Sequence, residues 1–266
     1  MRVGFIGAGR MGAPMVQRLG YAGHHVHALG RTDEKRKAIL ALNAHSVADV
    51  VETADRAEAV VICVFTDEQV QQICLETDLL DAMRPGTALI VHTTGSPATV
   101  QTIAGVAPHL DVIDAPVSGR PQEIAAGRVT LFVGGSDDAV TRMTPLLSAY
   151  GDPIFHVGPT GAGQKVKLIN NAMFAAQIGL VKEAVALGGR LGLTESTLLA
   201  ALPSGSGSSR VAGYVAARGS VGAFIDSAGE FVAKDVAVVR EITRQLGSDL
   251  GLLDDVISAG LPHDGE

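Results

Sequence analysis

A lysine and an asparagine stand four residues apart in the segment GAGQKVKLINN, at the start of a long helical pattern. Residues at positions i and i+4 lie on one face of a helix, so the ammonium group of Lys167 and the carboxamide of Asn171 can point into one pocket. An ammonium group can stabilise a developing alkoxide and transfer a proton to it. The spacing makes Lys167 a candidate proton donor; the alternative is an ordinary exposed lysine on a helix.

Lys165 is the other candidate in this segment. It precedes Lys167 by two residues, which turns its side chain about 200° away around a helix of about 3.6 residues per turn. It cannot share the face of Asn171, and we expect it to be a solvated charge.

A glycine pattern near the N-terminus indicates a dinucleotide site. It fits G-x-G-x-x-G, directly after the strand-like run RVGFI and before a helical segment. The first glycine permits a tight turn, the second lets a pyrophosphate approach the backbone, and the third packs helix on strand. The alternative is a glycine-rich turn without a ligand. The residues expected to bind the cofactor here are Gly7, Ala8, Gly9, Arg10, Met11 and Gly12.

The end of the second strand-like run distinguishes NAD from NADP. An Asp or Glu there binds the ribose 2′-hydroxyl of NAD, whereas an Arg accommodates the 2′-phosphate of NADP. The run ends in HALGRTDEK, which puts Arg31 and Thr32 at the discriminating positions. Asp33 and Glu34 come later and suit the first turn of the next helix. We expect NADP(H) to be preferred, with NAD as the second option, and Arg31 to pair with the 2′-phosphate; the alternative is a surface charge.

The composition argues against several classes of function. The 266 residues are 47% hydrophobic and carry a net charge of −7, whereas nucleic-acid and anionic-membrane partners select a basic face. Apolar runs of about 18 residues are all interrupted by charges, so no transmembrane span is expected. The cysteines and histidines show no ligand spacing, so no metal site is expected. We predict a cytoplasmic protein.

The chain changes its pattern after about residue 158. Before that point, short apolar runs alternate with helical segments, which is typical of a mostly parallel sheet covered on both faces. After it only helical patterns follow, the two longest from Gly163 to Leu191 and from Ile225 to Leu246. We predict an α/β fold, with an N-terminal Rossmann-type doubly wound sheet in residues 1–160 and an all-α C-terminal domain for substrate and oligomerisation in residues 161–266. The predicted strands are RVGFIG, HVHALG, AVVICVF, TALIVHT, LDVIDAP, VTLFVGG and PIFHV.

Four segments in order along the chain resemble the β-hydroxyacid dehydrogenase family. They are GFIGAGRMGAPM, DAPVSGRPQEIAAG, GAGQKVKLINN and AKDVAVV, and together they cover nearly the whole chain. The resemblance implies an NADP-dependent oxidoreductase that interconverts a small β-hydroxyacid and its semialdehyde or keto acid, as 3-hydroxyisobutyrate dehydrogenase does. It also implies homodimers or homotetramers.

The resemblance implies roles for particular residues. Lys167 is expected to act as the acid/base and Asn171 as its partner at the substrate, a small carboxylate-bearing molecule. The substrate carboxylate is expected to bind Ser118 and Gly119. The residues expected to line the cofactor or close over it are Val64, Phe65, Thr94 and Lys234.

Three departures from the family pattern concern the substrate. Arg120 replaces the second glycine after the serine. It either binds a second carboxylate of the substrate, or it is a rim residue or an ion-pair partner for Glu123. Arg210 follows Ser209 where the family often has an aromatic residue. The chain ends soon after SAGLP, short of the family's usual C-terminal tail.

Two other functions remain open at this point. Imine reductases use a similar fold but usually lack the active-site lysine, and a non-catalytic NADP-binding interaction module would be expected to lose it. The presence of Lys167 and Asn171 argues against both. The apolar stretch from Ala172 to Leu191 is expected to pack between subunits or against the N-terminal domain.

Overall fold

The apolar runs of the first half of the chain form one sheet. The computed structural model describes residues 1–260, apart from the side chains of Glu230 and Phe231, and within that range the sheet has nine strands. They are β1 (Arg2–Ile6), β2 (His25–Leu29), β3 (His45–Val47), β4 (Ala59–Ile62), β5 (Ala88–Val91), β6 (Asp111–Asp114), β7 (Val117–Ser118), β8 (Val129–Gly134) and β9 (Gly151–Gly158).

The strand order is β3-β2-β1-β4-β5-β6-β8-β7, with β9 beside β8. From β3 to β6 neighbouring strands are parallel, whereas β8 is antiparallel to β6 and β7. The prediction of a mostly parallel sheet is confirmed. The sequence does not predict β3 and β7, because three and two residues are too few to show a periodicity. The order reverses between β1 and β4, the point at which open α/β sheets bind ligands.

Helices connect the strands, and several begin at a side chain that caps them. Thr66, for example, accepts a hydrogen bond from the backbone of Gln69, and the side chain of Gln69 accepts one from the backbone of Thr66. The helices of this half are α1 (Gly12–Tyr21), α2 (Asp33–Leu40), α3 (Asp67–Leu75), α4 (Leu79–Ala82), α5 (Pro97–Val106), α6 (Pro121–Ala125) and α7 (Asp137–Leu147).

Both faces of the sheet are covered by apolar side chains. Successive residues of the central strands alternate between two buried clusters, so that Val61 of β4 belongs to one cluster and Ile62 to the other. A strand buried on both faces gives a continuous apolar run rather than an alternating one. This first compact unit extends from Met1 to Lys167.

The second compact unit begins at Leu168 and contains no strand within residues 168–260. The helices that follow the sheet are α8 (Ala162–Arg190), α9 (Glu195–Ala201), α10 (Arg210–Arg218), α11 (Val221–Gln245) and α12 (Leu252–Gly260). Gly179 of α8 and Gly260 of α12 pack closely, since a Cβ on Gly260 would lie 2.6 Å from the backbone nitrogen of Gly179. Glycine thus permits these two helices to approach each other.

The division between the units falls inside α8, whereas the sequence pattern predicts a boundary between residues 160 and 161. The first turns of α8 group with the sheet because the backbone N–H groups of Gly161 and Gln164 donate hydrogen bonds to Asp114 at the end of β6. The predicted departure after SAGLP, together with the end of the predicted second domain, lies in residues 261–266, outside the described residues.

Among the described helices, α8 alone is long and apolar enough to cross a membrane, judged by length and composition. Core helices of soluble proteins pass the same test. Several apolar residues of α8, including Leu168, Ala172 and Ile178, belong to the buried cluster of the second unit. The helix therefore has a packing role that accounts for its composition.

Candidate active site

The glycine loop between β1 and α1 has the geometry that its sequence predicts. Gly7 has a φ of +101°, and a Cβ there would collide with the carbonyl oxygen of Cys63. A Cβ on Gly9 would have nothing within 4 Å, so the backbone is open to a ligand. A Cβ on Gly12 would collide with the carbonyl oxygen of Gly7 and lie 2.9 Å from the ring of Phe5. These residues fit a dinucleotide, since they combine a tight turn, an open approach and close packing of helix on strand.

The other residues of the loop differ in their exposure around the start of α1. Met11 precedes α1 and its side chain makes no capping hydrogen bond, while the N–H of Ala13 donates to the carbonyl oxygen of Gly9 at 2.8 Å. Ala8 and Met11 are half-buried, and Arg10 is exposed. Of the predicted loop residues, Gly9 and Arg10 are therefore the most exposed at the carboxyl end of β1, and Gly12 is buried.

A cavity of about 460 Å³ lies beside this loop. Its volume is within the range of small-molecule sites, and its wall combines apolar side chains with a few polar ones. The cavity lies where the strand order reverses, which is where the fold is expected to hold a nucleotide. Residues that line it include Gly7, Gly9, Leu29, Arg31, Lys35 and Val64.

The end of β2 presents cations to this cavity. Arg31 and Thr32 both line it, and Thr32 also caps α2 by accepting a hydrogen bond from the backbone of Lys35 at 3.2 Å. Asp33 lies in the first turn of α2, as predicted, and its carboxylate binds Arg36 at 2.6 Å. The sequence prediction missed Lys35, although its place one turn after Thr32 in a helix could have indicated it.

The loops after β4 and β5 are joined to each other. The hydroxyl of Thr93 accepts a hydrogen bond from the backbone N–H of Val64 at 3.0 Å and donates one to the carbonyl oxygen of Val64 at 3.1 Å. This contact holds Val64, and the exposed Phe65 after it, beside the loop that carries Thr94. Thr94 itself is half-buried.

Asp67, at the start of α3, supports the same loop. Its carboxylate accepts hydrogen bonds from the backbone of Ser96 at 3.2 Å and from the hydroxyl of Thr99 at 2.5 Å. Burial raises the pKa of Asp67, and these donors oppose the shift. The loop from Thr93 to Ser96 is therefore hydrogen-bonded to Val64, after β4, and to Asp67, at the start of α3.

Ser118 and Gly119 lie on and just after β7. Ser118 is half-buried and pairs with Thr130 of β8. Gly119 is exposed with a φ of +154°, and a Cβ there would lie 2.8 Å from a carboxylate oxygen of Glu123 and 2.9 Å from Val129. A glycine is therefore required at this position, and its backbone N–H belongs to an exposed segment.

Arg120 contacts Glu123 as one of the two sequence interpretations proposes. The backbone N–H of Arg120 donates a hydrogen bond to Oε2 of Glu123 at 2.7 Å, and Nε of Arg120 lies 3.9 Å from the same oxygen. The side chain of Arg120 is 64% exposed. The ion pair is thus present, and a role at the substrate stays a prediction.

The start of α8 is anchored by two buried polar residues. The carboxylate of Asp114 accepts hydrogen bonds from the backbone of Gly161 at 2.6 Å and of Gln164 at 2.7 Å. The side chain of Gln164 accepts one from the backbone of Gly95 at 3.0 Å and donates one to the carbonyl oxygen of Thr93 at 2.8 Å. Burial raises the pKa of Asp114, and its backbone donors oppose the shift. The sequence prediction assigned no role to either residue.

Lys167 and Asn171 lie on α8, one turn apart, as predicted. Lys167 is half-buried and Lys165 is exposed, in agreement with the geometric argument that separated them. Asn171 is 7% exposed, and its Nδ2 donates a hydrogen bond to Oδ2 of Asp235 on α11 at 3.2 Å. Lys234, predicted at the cofactor, precedes Asp235 in the second unit, and its role stays a prediction.

Two family models match consecutive parts of the chain. The NAD binding domain of 6-phosphogluconate dehydrogenase matches residues 2–158, and the NAD-binding model of NADP-dependent 3-hydroxyisobutyrate dehydrogenase matches residues 161–258. The first model matches the residues that form the sheet, and the second matches the helices that follow it.

Individual proteins agree with these models. The chain is 34% identical to the NAD-dependent L-serine dehydrogenase of Pseudomonas aeruginosa over 209 residues, which are 77% of this chain and 70% of the relative. The structure of 3-hydroxyisobutyrate dehydrogenase from Mycobacterium tuberculosis with L-serine superimposes with a TM-score of 0.85 and 26% identity, over 97% of this chain and 91% of that one. An imine reductase from Pseudomonas sp. shares the fold alone, with a TM-score of 0.64 and 19% identity over 97% of this chain and 98% of that one.

The resemblance stated from four sequence segments is therefore confirmed at the level of the family and of the fold. The first model covers more than half of the chain, and the alignment with the Pseudomonas aeruginosa relative covers 77% of it. The chain belongs to the β-hydroxyacid dehydrogenase family, whose members are NAD(P)-dependent oxidoreductases acting on CH–OH groups.

Proposed function

We propose that the protein interconverts a small β-hydroxyacid and its semialdehyde or keto acid with NADP(H), and that Lys167 is the acid/base. The main support is the anchoring of α8. Through Gln164 the helix that carries Lys167 is hydrogen-bonded to the loop that carries Thr94, so a proton donor and a cofactor loop are held in one compact unit.

The chemistry assigned to the chain is proton transfer and charge stabilisation. A nicotinamide dinucleotide, when bound, supplies the hydride for reduction of the carbonyl or accepts it in the reverse direction. In reduction, Nζ of Lys167 donates its proton to the carbonyl oxygen as negative charge develops there, and in oxidation it takes the hydroxyl proton back. Asn171, one turn later on α8, offers a neutral carboxamide that orients the substrate without adding charge.

The proposed substrate carries a carboxylate separated from the reacting carbon by one carbon atom. The hydroxyl of Ser118 and the backbone N–H of Gly119 are donors of the kind that bind a carboxylate. L-serine and 3-hydroxyisobutyrate, named for two relatives, are both β-hydroxyacids. A substrate of this size and charge is consistent with Ser118 and Gly119 as an anchoring pair.

NADP(H) is proposed as the preferred cofactor on the basis of charge. Arg31 and Lys35 both line the cavity at the end of β2, and the nearby carboxylate of Asp33 is already paired with Arg36. A 2′-phosphate requires cations at this position, and the 2′-hydroxyl of NAD is usually bound by an acid. One relative is named as NAD-dependent, so cofactor preference can differ within the family.

A second copy of the chain is the proposed partner, in a homodimer or homotetramer. Four apolar side chains on α8, spaced by four, seven and seven residues, lie within about 40° around the helix. They are between 45% and 63% exposed, and an apolar stripe of this length marks an interface more often than a free surface. They are Ile169, Met173, Leu180 and Leu187. The net charge of −7 argues against nucleic-acid and anionic-membrane partners, and we propose a cytoplasmic assembly.

The proposal is tested with purified protein and a panel of small acids. L-serine and 3-hydroxyisobutyrate are offered with NADP⁺, and glyoxylate and the semialdehydes of succinate, methylmalonate and tartronate with NADPH, while nicotinamide absorbance is followed. At least one acid is expected to turn over. Lys167→Ala should lower its kcat about 10²- to 10⁴-fold, the range of general acid/base catalysis, and leave NADPH binding intact.

Lys165→Ala is the matched control, since Lys165 is an exposed lysine of the same helix. It should keep its kcat. Full turnover by Lys167→Ala would remove Lys167 from the mechanism. Reduction of a cyclic imine, with all the acids inert, would instead favour imine reduction, and NADPH binding without any turnover would favour a binding module.

A further inference from the structure

Gln164 is a buried glutamine whose side chain joins two segments that are far apart in sequence. It is 1% exposed. Its Oε1 accepts a hydrogen bond from the backbone N–H of Gly95 at 3.0 Å, and its Nε2 donates one to the carbonyl oxygen of Thr93 at 2.8 Å. A carboxamide that binds the loop through both its donor and its acceptor fixes the position and orientation of that loop relative to the helix.

The backbone of Gln164 is fixed as firmly as its side chain. Its N–H donates a hydrogen bond to Asp114, which also accepts one from Gly161 and is completely buried. The first turn of α8 is thus capped by a carboxylate at the end of β6. The start of the helix has no freedom to rotate without breaking buried hydrogen bonds, which would be costly.

Gln164 shares a helical face with the proposed acid/base. On a helix of about 3.6 residues per turn, positions 164, 167 and 171 lie within about 60° of one another. The direction in which Gln164 points, towards the loop of Thr93 to Gly95, is therefore close to the direction in which Lys167 leaves the helix one turn later.

The loop that Gln164 holds is fixed on its other side as well. Thr93 exchanges two hydrogen bonds with Val64, and Asp67 binds the backbone of Ser96. Gln164 therefore joins α8 to the loop from Thr93 to Ser96, and the same loop is hydrogen-bonded to Val64 and Asp67 on its other side.

We propose that Gln164 is a positioning residue, which sets the distance between Lys167 and the loop that carries Thr94 through its two hydrogen bonds to Thr93 and Gly95. The inference rests on the proposed function of Lys167. It assigns Gln164 no contact with the substrate; Gln164 acts by holding the proton donor in register with the cofactor loop.

The first variant is Gln164→Leu, which keeps the size of the side chain and removes both hydrogen bonds. A misplacement of about 1 Å is expected to lower kcat about tenfold to a hundredfold. Binding of NADPH, measured by fluorescence titration, should change far less than kcat. Hydrogen exchange of the Gly95 amide should become faster in the protein without cofactor, because its acceptor is gone.

Gln101→Leu is the matched control. Gln101 also donates a hydrogen bond to a backbone carbonyl near the start of α8, that of Thr160 at 3.4 Å, but it is exposed, and this bond involves neither Thr93 nor Gly95. This variant should keep the kcat and the Gly95 exchange rate of the wild type.

A second variant, Gln164→Glu, adds a pH profile that a purely structural role would not give. A protonated carboxyl group can accept from Gly95 and donate to Thr93, as the carboxamide does. Burial, together with the neighbouring acids Asp114 and Asp67, is expected to raise the pKa of the new carboxyl group, and the ammonium group of Lys167 on the same helical face opposes this shift. Relative to wild type, kcat should therefore be highest at low pH and fall as pH rises, while Gly95 exchange rises in parallel. This variant carries the test if Gln164→Leu does not fold.

The outcomes separate this inference from the proposed function. If Lys167→Ala retains turnover, the proposed function fails, and the positioning role fails with it. If Lys167→Ala is inactive while Gln164→Leu keeps the kcat and the slow Gly95 exchange of the wild type, only the positioning role is overturned. If kcat of Gln164→Glu depends on pH in the same way as kcat of the wild type, the positioning role is likewise overturned.

Discussion

Asn171 on α8 donates a hydrogen bond from Nδ2 to Oδ2 of Asp235 on α11, 3.2 Å away. Because a carboxylate only accepts, this bond fixes which end of the Asn171 carboxamide faces α11. Its Oδ1 accepts a longer hydrogen bond from Asn170 at 3.4 Å. Asp235 therefore determines the orientation of the Asn171 carboxamide at the proposed active site. From the sequence alone, Asp235 is only a member of the AKDVAVV segment.

Loss of this bond is expected to lower catalysis. Asp235→Leu should reduce kcat/KM about tenfold or more, since Nδ2 of the buried Asn171 loses its acceptor, at a cost of about 1–3 kcal/mol of stability. Asp235→Asn, which keeps an acceptor oxygen, should restore most of the activity. Asp226→Leu, at an exposed acid of the same helix, is the control. Wild-type kinetics in Asp235→Leu would show that the orientation of Asn171 does not matter to the reaction.

Arg31 is expected to set cofactor preference. Arg31→Asp should lower the ratio of kcat/KM for NADPH to that for NADH about tenfold to a hundredfold, the loss of one charge-assisted hydrogen bond plus repulsion of the phosphate. Lys35→Asp should act in the same direction, because Lys35 lines the same cavity. Lys37→Asp, an exposed position on α2, should leave the ratio unchanged. If Arg31→Asp leaves the ratio of kcat/KM for NADPH to that for NADH unchanged, Arg31 does not bind the 2′-phosphate.

The sequence predicts those parts of the site whose chemistry is local. The glycine loop needs only the residues between β1 and α1, and the choice of Lys167 over Lys165 needs only the turn of one helix. Local geometry and residue type were sufficient there.

The anchoring contacts are not local and could not be predicted. Gln164 binds Gly95 and Thr93, which are 69 and 71 residues away, and Asp114 binds the start of α8 from 50 residues away. Such pairs form only when the sheet order brings the ends of β5 and β6 beside α8. The short strand β7, which carries Ser118, was missed because its two residues are defined by pairing with β8 rather than by their own pattern.

The apolar stripe on α8 is expected to hold two copies of the chain together. Leu180→Glu places a charge in that stripe and should weaken self-association at least tenfold, since burial of one leucine contributes about 1.5–3 kcal/mol. Light scattering after size-exclusion chromatography at several concentrations measures the change. Lys182→Glu, an exposed position on another face of α8, is the control. A wild-type mass distribution for Leu180→Glu would exclude this stripe from the interface.

His92, at the end of β5, is buried between a carbonyl group and a hydroxyl group. Its Nδ1 lies 2.6 Å from the carbonyl oxygen of Ala115, to which it donates, so Nε2 carries no proton and accepts from the hydroxyl of Tyr150 at 2.8 Å. Burial lowers the pKa of His92 to about 4, from 6.5 in an exposed histidine, and the bond to Ala115 opposes the shift. His92 therefore stays neutral in the folded protein at pH values where the unfolded chain is protonated.

This difference in pKa predicts how acid destabilises the fold. Above pH 6.5 His92 is unprotonated in both the folded and the unfolded chain, so it does not lower the free energy of unfolding. Between pH 6.5 and about 4 the unfolded chain binds the proton and the folded protein does not, so the free energy of unfolding falls by up to about 1.4 kcal/mol per pH unit, roughly 3 kcal/mol in all. His92→Gln, which keeps a donor and an acceptor but does not titrate, should lack this part of the slope, whereas His24 and His27, whose pKa values are also lowered, contribute equally to both proteins. Urea unfolding at a series of pH values from 7.5 to 4.5 measures the two slopes, and equal slopes would show that His92 is not the group that couples folding to acid.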